Sequence, residues 1–186
     1  MIVTIPNPVL IKKAKPVARI DSRIIKIVTL MKKSLLSCKN PKGVGLAAPQ
    51  IGFPLRIFIT KPTDDAEIKE FINPECTWKD SALVEIQRPK ENKSLPHKEQ
   101  KLEGCLSVPN VWGYLKRARA VKLRYLDTEG IPHEEKFVGF MATIIQHEMD
   151  HLDGILFTQR VIEQKEKLYE IEETADSKEK LVEIEI

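Results

Sequence analysis

Around residues 139–151 the sequence FMATIIQHEMDHL has helical character and is apolar on most of its sides. A helix that offers no polar face to water has to lie in the middle of a fold, with other elements wrapped around it. Yet it carries His147, Glu148 and His151 among Ile144, Ile145, Met149 and Leu152. Residues i and i+4 share a helix face, so the two imidazoles can grip one cation. Glu148, beside the first of them, can reach a water there without being a ligand. The pattern also arises by chance, and a histidine pair can be purely structural. Burying these groups unsatisfied, however, costs roughly 2–7 kcal/mol each on the harsher transfer scales, which favours a metal. Gly154, past the end of the helix, is a stop signal.

A hydrolytic cation needs a third protein ligand and one position left for water. Gly154 is followed by Phe157 where a third histidine would complete one known type of zinc site, and a phenyl ring cannot ligate. Glu163, Glu166 and Glu170 lie in a highly charged stretch with no buried helix to position them. Cys105, within KLEGCLSVPN at 101–110, is a better candidate as a thiolate, although a cysteine in such surroundings is more often a small packed residue. Cys38 and Cys76 lack this context and are read as packing or surface thiols.

The rest of the chain reads as α+β. Asp21 and Ser22 offer caps to a helix over about 22–37, with Ile24, Ile27, Val28, Met31 and Leu35 on one stripe. NPKGVGLAAPQIGFP (40–54) is a loop punctuated by glycine and proline. LRIFIT (55–60), FINPECTW and ALVEIQ read as strands, and 89–101 as an exposed loop. VKLRYLD (121–127) and PHEEKFVG are expected to pair antiparallel across TEG. The charged tail ends in LVEIEI, which alternates as an edge strand would; a short helix or a frayed end are the alternatives. The expected division is a catalytic domain over 1–165 and a tail over 166–186.

With 186 residues, 42% hydrophobic and 31% charged, the chain suits one globular domain. A net charge of +3, from 30 basic and 27 acidic side chains, does not suggest direct nucleic-acid binding. Three widely spaced cysteines and no signal-like or membrane-length apolar run point to the cytosol and away from a membrane.

GVGLAAPQ at 43–50, EGCLS at 103–107 and QHEMDH at 146–151 follow one another in this order. Together they resemble the three motifs of the peptide deformylases, and the likeness runs from the proline-rich start to ILFTQRV near 161. It implies antiparallel sheets around a central metal-binding helix, with an N-terminal helix. The implied activity is metal-dependent removal of the formyl group from the N-terminal formylmethionine of nascent proteins. Cys105, His147 and His151 would hold one divalent ion, Fe(II) natively, with zinc or nickel also compatible. Glu148 would shuttle the proton, while the Gln50 amide and the Leu106 N–H would face the oxygen that gains charge. The loop of Gly43, Val44 and Gly45 would pair with the peptide backbone. Val44, Phe140, Thr143 and Ile144 would line the methionine pocket, and Gln146 would be a structural hydrogen-bonding residue.

The sequence departs from the family pattern in places. Trp112 stands where many relatives have a substrate-positioning arginine, with Arg117 and Arg119 as possible substitutes. Thr143 makes the pocket floor more polar. The 88–101 loop is longer than in compact members, and the acidic tail makes docking to ribosomal RNA a weak expectation. The rival readings are a zinc endopeptidase and a catalytically weak deformylase-like protein that only binds formyl-peptides.

Overall fold

The computed structural model describes residues 1–39, 41–89, 101–173 and 179–185. The loop expected at 89–101 therefore lies almost wholly outside the described residues. The architecture is α+β, with three antiparallel sheets around one helix.

The larger sheet has the order β1-β2-β3-β8-β9 and contains β1 (Gly45–Ala47), β2 (Ile57–Thr60), β3 (Lys69–Lys79), β8 (Ala120–Leu126) and β9 (Pro132–Val138). A four-stranded sheet has the order β11-β10-β6-β5, with β5 (Leu102–Cys105), β6 (Val108–Tyr114), β10 (Leu168–Glu173) and β11 (Glu179–Ile184). Two short strands, β4 (Leu83–Val84) and β7 (Arg117–Ala118), pair with each other. ALVEIQ thus yields only a two-residue strand. The β8–β9 pairing expected across TEG is present, with Val121 opposite Phe137 and Leu126 opposite Pro132.

Every residue of β2 is buried, because helices cover both faces of its sheet. Side chains alternate along a strand. Ile57 and Ile59 therefore pack under α1 (Ser22–Ser37) with Ile27, Val28, Met31 and Leu35. Phe58 turns to the other face and joins Phe71, Leu123, Ala142 and Ile145. The last two belong to α2 (Gly139–Leu152), the apolar helix of the sequence analysis. Asp21 is the cap of α1: its Oδ1 accepts from the N–H groups of Arg23 (2.9 Å) and Ile24 (3.1 Å). Beyond α2 the chain turns at Gly154, whose φ of +74° is one that glycine adopts without strain.

The helical and frayed readings of the tail do not hold for the described residues. β10 pairs with β11 and also with β6, and its Leu168 packs with Val161 and Phe157 of α3 (Phe157–Glu163). No helix among the described residues is long and apolar enough to cross a membrane.

Candidate metal centre and substrate cleft

Cys105, at the end of β5, meets His147 and His151 of α2; their ligand atoms all lie within 4.8 Å of one another. The β5–β6 register shifts between Gly104 and Cys105, an irregularity of the kind that re-aims a side chain beside a site. Cys105 Sγ stands 3.2 Å from His151 Nε2. His147 Nδ1 is held by Glu103 Oε1 at 2.6 Å, which leaves Nε2 as the atom able to ligate.

The charges around this trio form a chain. Arg117 of β7 is buried and donates to both Glu103 oxygens, through Nε at 3.0 Å and Nη2 at 2.5 Å, and to Asp150 Oδ2 at 2.6 Å. Arg160 of α3 holds the other Asp150 oxygen at 2.9 Å. Burial alone would raise the Glu103 pKa, but the Arg117 guanidinium and His147 bring it well below the usual carboxylate range. Burial would also raise the Cys105 thiol; the two imidazoles outweigh it and bring its pKa down to about 5. His147 is shifted well upward against its burial, by Cys105 and Glu103. The trio is thus a thiolate beside two imidazoles, of which His147 is drawn toward its charged form. This donor set suits a divalent cation in place of the protons.

One unsatisfied atom also fits a cation with water beside it: Glu148 Oε2 is buried and has no hydrogen-bond partner among the described residues. Glu148 is 3% exposed, and burial pushes its pKa up to about 7. Gln50, 1% exposed, closes another side of the site. Its Oε1 accepts from Ala47 N–H (2.8 Å), while Nε2 approaches Ser107 Oγ (3.2 Å) and Cys105 Sγ (3.6 Å).

A cleft opens beside this centre. Gly43, Val44, Gly45, Gln50, Leu106, Phe140, Thr143, Ile144, His147 and Glu148 all line it, together with Cys105. Every residue that the sequence nominated as ligand, catalyst or pocket wall thus borders the cleft except His151, which lies behind it at 1% exposure. Within the described residues, β1 and β5 are the terminal strands of their sheets, and both border the cleft, so two unpaired backbone edges flank it. Gly45 sits so close to α2 that an added Cβ would fall 2.8 Å from Ile144 Cγ2.

Some expectations change. Arg117 does not substitute for a substrate-facing arginine, because it is locked between Glu103 and Asp150. Arg119 points to the surface and pairs with Asp80. Trp112 lies over Gly104 and borders the cleft. Phe157 is 1% exposed, with its ring 6.2 Å from that of His147, so it packs and does not ligate. Gln146 bonds to both backbone groups of Ala118 (2.9 and 3.0 Å) and to Ala142 O, which ties α2 to β7. The sequence reading missed Glu103, Asp150 and Ser107 as supports, and Ile86 and Arg88 as cleft walls. Asp150 carried a signal: a carboxylate on an apolar helix needs a buried cation.

A trio able to hold a cation, drawn from β5 and the central helix beside a buried carboxylate, is an arrangement of the metallohydrolase class. The family model for polypeptide deformylase matches residues 1–167. The peptide deformylase of Pseudothermotoga lettingae is 40% identical over 81% of this chain and 76% of its own length. Peptide deformylase 1 of Bacillus subtilis is 37% identical over 94% and 95%. Among solved structures, the Synechococcus elongatus peptide deformylase in complex with actinonin has a TM-score of 0.73 at 31% identity, covering 87% of this chain and 79% of that one. A Met-Ala-Ser-bound peptide deformylase from Acinetobacter baumannii has a TM-score of 0.72 at 30% identity, covering 87% and 97%. The chain belongs to the polypeptide deformylase family, and its activity is that of a metal-dependent N-terminal deformylase.

Proposed function

We propose that Cys105, His147 and His151 hold one divalent cation and that the cleft takes N-formylmethionyl peptides of nascent proteins, releasing formate. The observation that carries this reading is the convergence of three ligand atoms within 4.8 Å beside the unpartnered carboxylate oxygen of Glu148. Fe(II) is the native ion we assign, with zinc or nickel accepted by the same donors. When bound, the cation supplies Lewis acidity toward water and the formyl oxygen.

The chain's own residues do the rest. Glu148, with its pKa raised to about 7 by burial, takes a proton from the attacking water and returns it to the leaving amine. Gln50 Nε2 and the Leu106 N–H donate to the formyl oxygen as it gains charge; one such donor is typically worth about 3–4 kcal/mol. Gln50 is pre-set for this, since Ala47 N–H fixes its carbonyl end and directs its amide nitrogen toward Cys105. Glu103 fixes the His147 tautomer, and Arg117 fixes Glu103.

The peptide backbone joins the open edge at Gly43, Val44 and Gly45 as an added strand. The methionine side chain enters between Val44, Phe140, Thr143 and Ile144. That the Acinetobacter relative is seen with Met-Ala-Ser supports a peptide of this kind. The setting we assign is the cytosol, on nascent chains, without a membrane or nucleic-acid partner. Formate release from formyl-Met-Ala-Ser by anaerobically purified protein tests the reading. Turnover supports it, and cleavage at internal peptide bonds without formate would replace it with an endopeptidase.

A further inference from the structure

The cleft contains a cation that the proposed reaction does not use. Arg88 borders it alongside Ile86, Phe140 and Ile144, and its guanidinium carbon stands 5.4 Å from the centroid of the Phe140 ring. Among the described residues its one hydrogen bond runs from Nη2 to Leu102 O, at 2.9 Å. Its Nε is buried, without a partner among the described residues.

The carboxylates nearby are committed elsewhere. Glu103 is shared by Arg117 and His147, and Asp150 by Arg117 and Arg160. No described ion pair includes Arg88. A guanidinium has five N–H donors in a fork that matches a carboxylate. This one is part-buried, borders the cleft and has most of its fork uncommitted among the described residues.

Its place along the cleft sets what it can reach. Leu102, to which it is anchored, is three residues before Cys105 on β5. At about 3.3 Å per strand residue, that is roughly 10 Å from the metal centre. An extended peptide advances about as fast, so a side chain two or three residues from the formylated end spans this distance.

We propose that Arg88 is a specificity-determining residue that binds a side-chain carboxylate on the second or third residue of the formyl-peptide. The proposal rests on the reading of the cleft as a formyl-peptide site, and it gives that site a preference for an acidic residue after the formylmethionine.

The test compares kcat/KM for C-terminally amidated formyl-Met-Asp-Ser and formyl-Met-Ala-Asp with that for formyl-Met-Ala-Ser amide. Wild type should favour at least one acidic peptide by about tenfold, the scale of a hydrogen bond to a charged group. The ratio should fall to near one in Arg88→Met. Arg88→Glu should invert the preference toward formyl-Met-Lys-Ser amide, an outcome that a merely structural arginine would not give. Because each result is a ratio within one preparation, partial misfolding of a variant cancels.

A wild-type ratio near one, or a ratio unchanged in Arg88→Met, overturns the proposal. So does a preference seen only when the peptide ends in a free carboxylate. If no peptide releases formate, the deformylase reading fails separately. The Arg88 assignment is then read from calorimetric Kd values of amidated Met-Asp-Ser, Met-Ala-Asp and Met-Ala-Ser, with the same ratios supporting or overturning it.

Discussion

Glu103 and Asp150, the other two buried carboxylates around the metal centre, are both claimed by arginines, whereas Glu148 has no ion pair among the described residues and its Oε2 has no hydrogen-bond partner there. Its burial raises its pKa to about 7, a value suited to both taking and returning a proton near neutrality. Glu148→Ala should therefore keep its metal and lose about 10²–10⁴ in kcat/KM, read by formate release with metal analysis of the same sample. Unaltered turnover would remove Glu148 from the chemistry. At this scale the sequence revealed the residues whose pairing is local. His147, Glu148 and His151 needed only the helical repeat, and Gln50 and Cys105 needed intact motifs. The Glu103–Arg117–Asp150 chain was invisible because its members come from β5, β7 and α2, and only the fold brings them together. Arg88 was equally unreadable, since nothing in its neighbours in sequence says that it faces Phe140.

Among the elements, α2 bears the two histidines, and β7 fastens it. Arg117 of β7 joins α2 through Asp150 and β5 through Glu103, while Gln146 ties α2 to the β7 backbone. Arg117→Met would strip Glu103 of its guanidinium and leave Asp150 with Arg160 alone. It should destabilise the protein by about 3–5 kcal/mol, measured by urea unfolding; a loss under about 1 kcal/mol would mean that the pairs contribute little. Packing makes a parallel case: Ile145 of α2 is 0% exposed against the larger sheet. Ile145→Ala should cost about 2–5 kcal/mol in the same assay, without changing metal content. α1 was legible from its apolar stripe, α2 from an apolar surface nearly all round, and the β8–β9 pair from the alternation of VKLRYLD ahead of the TEG turn. ALVEIQ had the composition of a strand but pairs through only Leu83 and Val84, since β7, its partner, is two residues long.

For the whole molecule, the family model ends at residue 167, and β10 begins at Leu168. The terminal hairpin thus lies past the matched region, yet it extends the sheet that carries Cys105. Its charge obscured this in the sequence, where only LVEIEI hinted at a strand. Ending the chain at residue 167 should lower the unfolding midpoint by uncovering Val161 and Phe157 from Leu168, a loss of about 1.5–3 kcal/mol for the one large side chain. Metal content should stay unchanged, since all three ligands remain; loss of the metal would show that the hairpin shapes the centre. The central claim is one cation held by Cys105, His147 and His151. Its most direct test is metal per chain in anaerobically purified wild type and Cys105→Ser. The account predicts one ion per chain in the first and a large loss, with loss of formate release, in the second. Full occupancy of Cys105→Ser would contradict it.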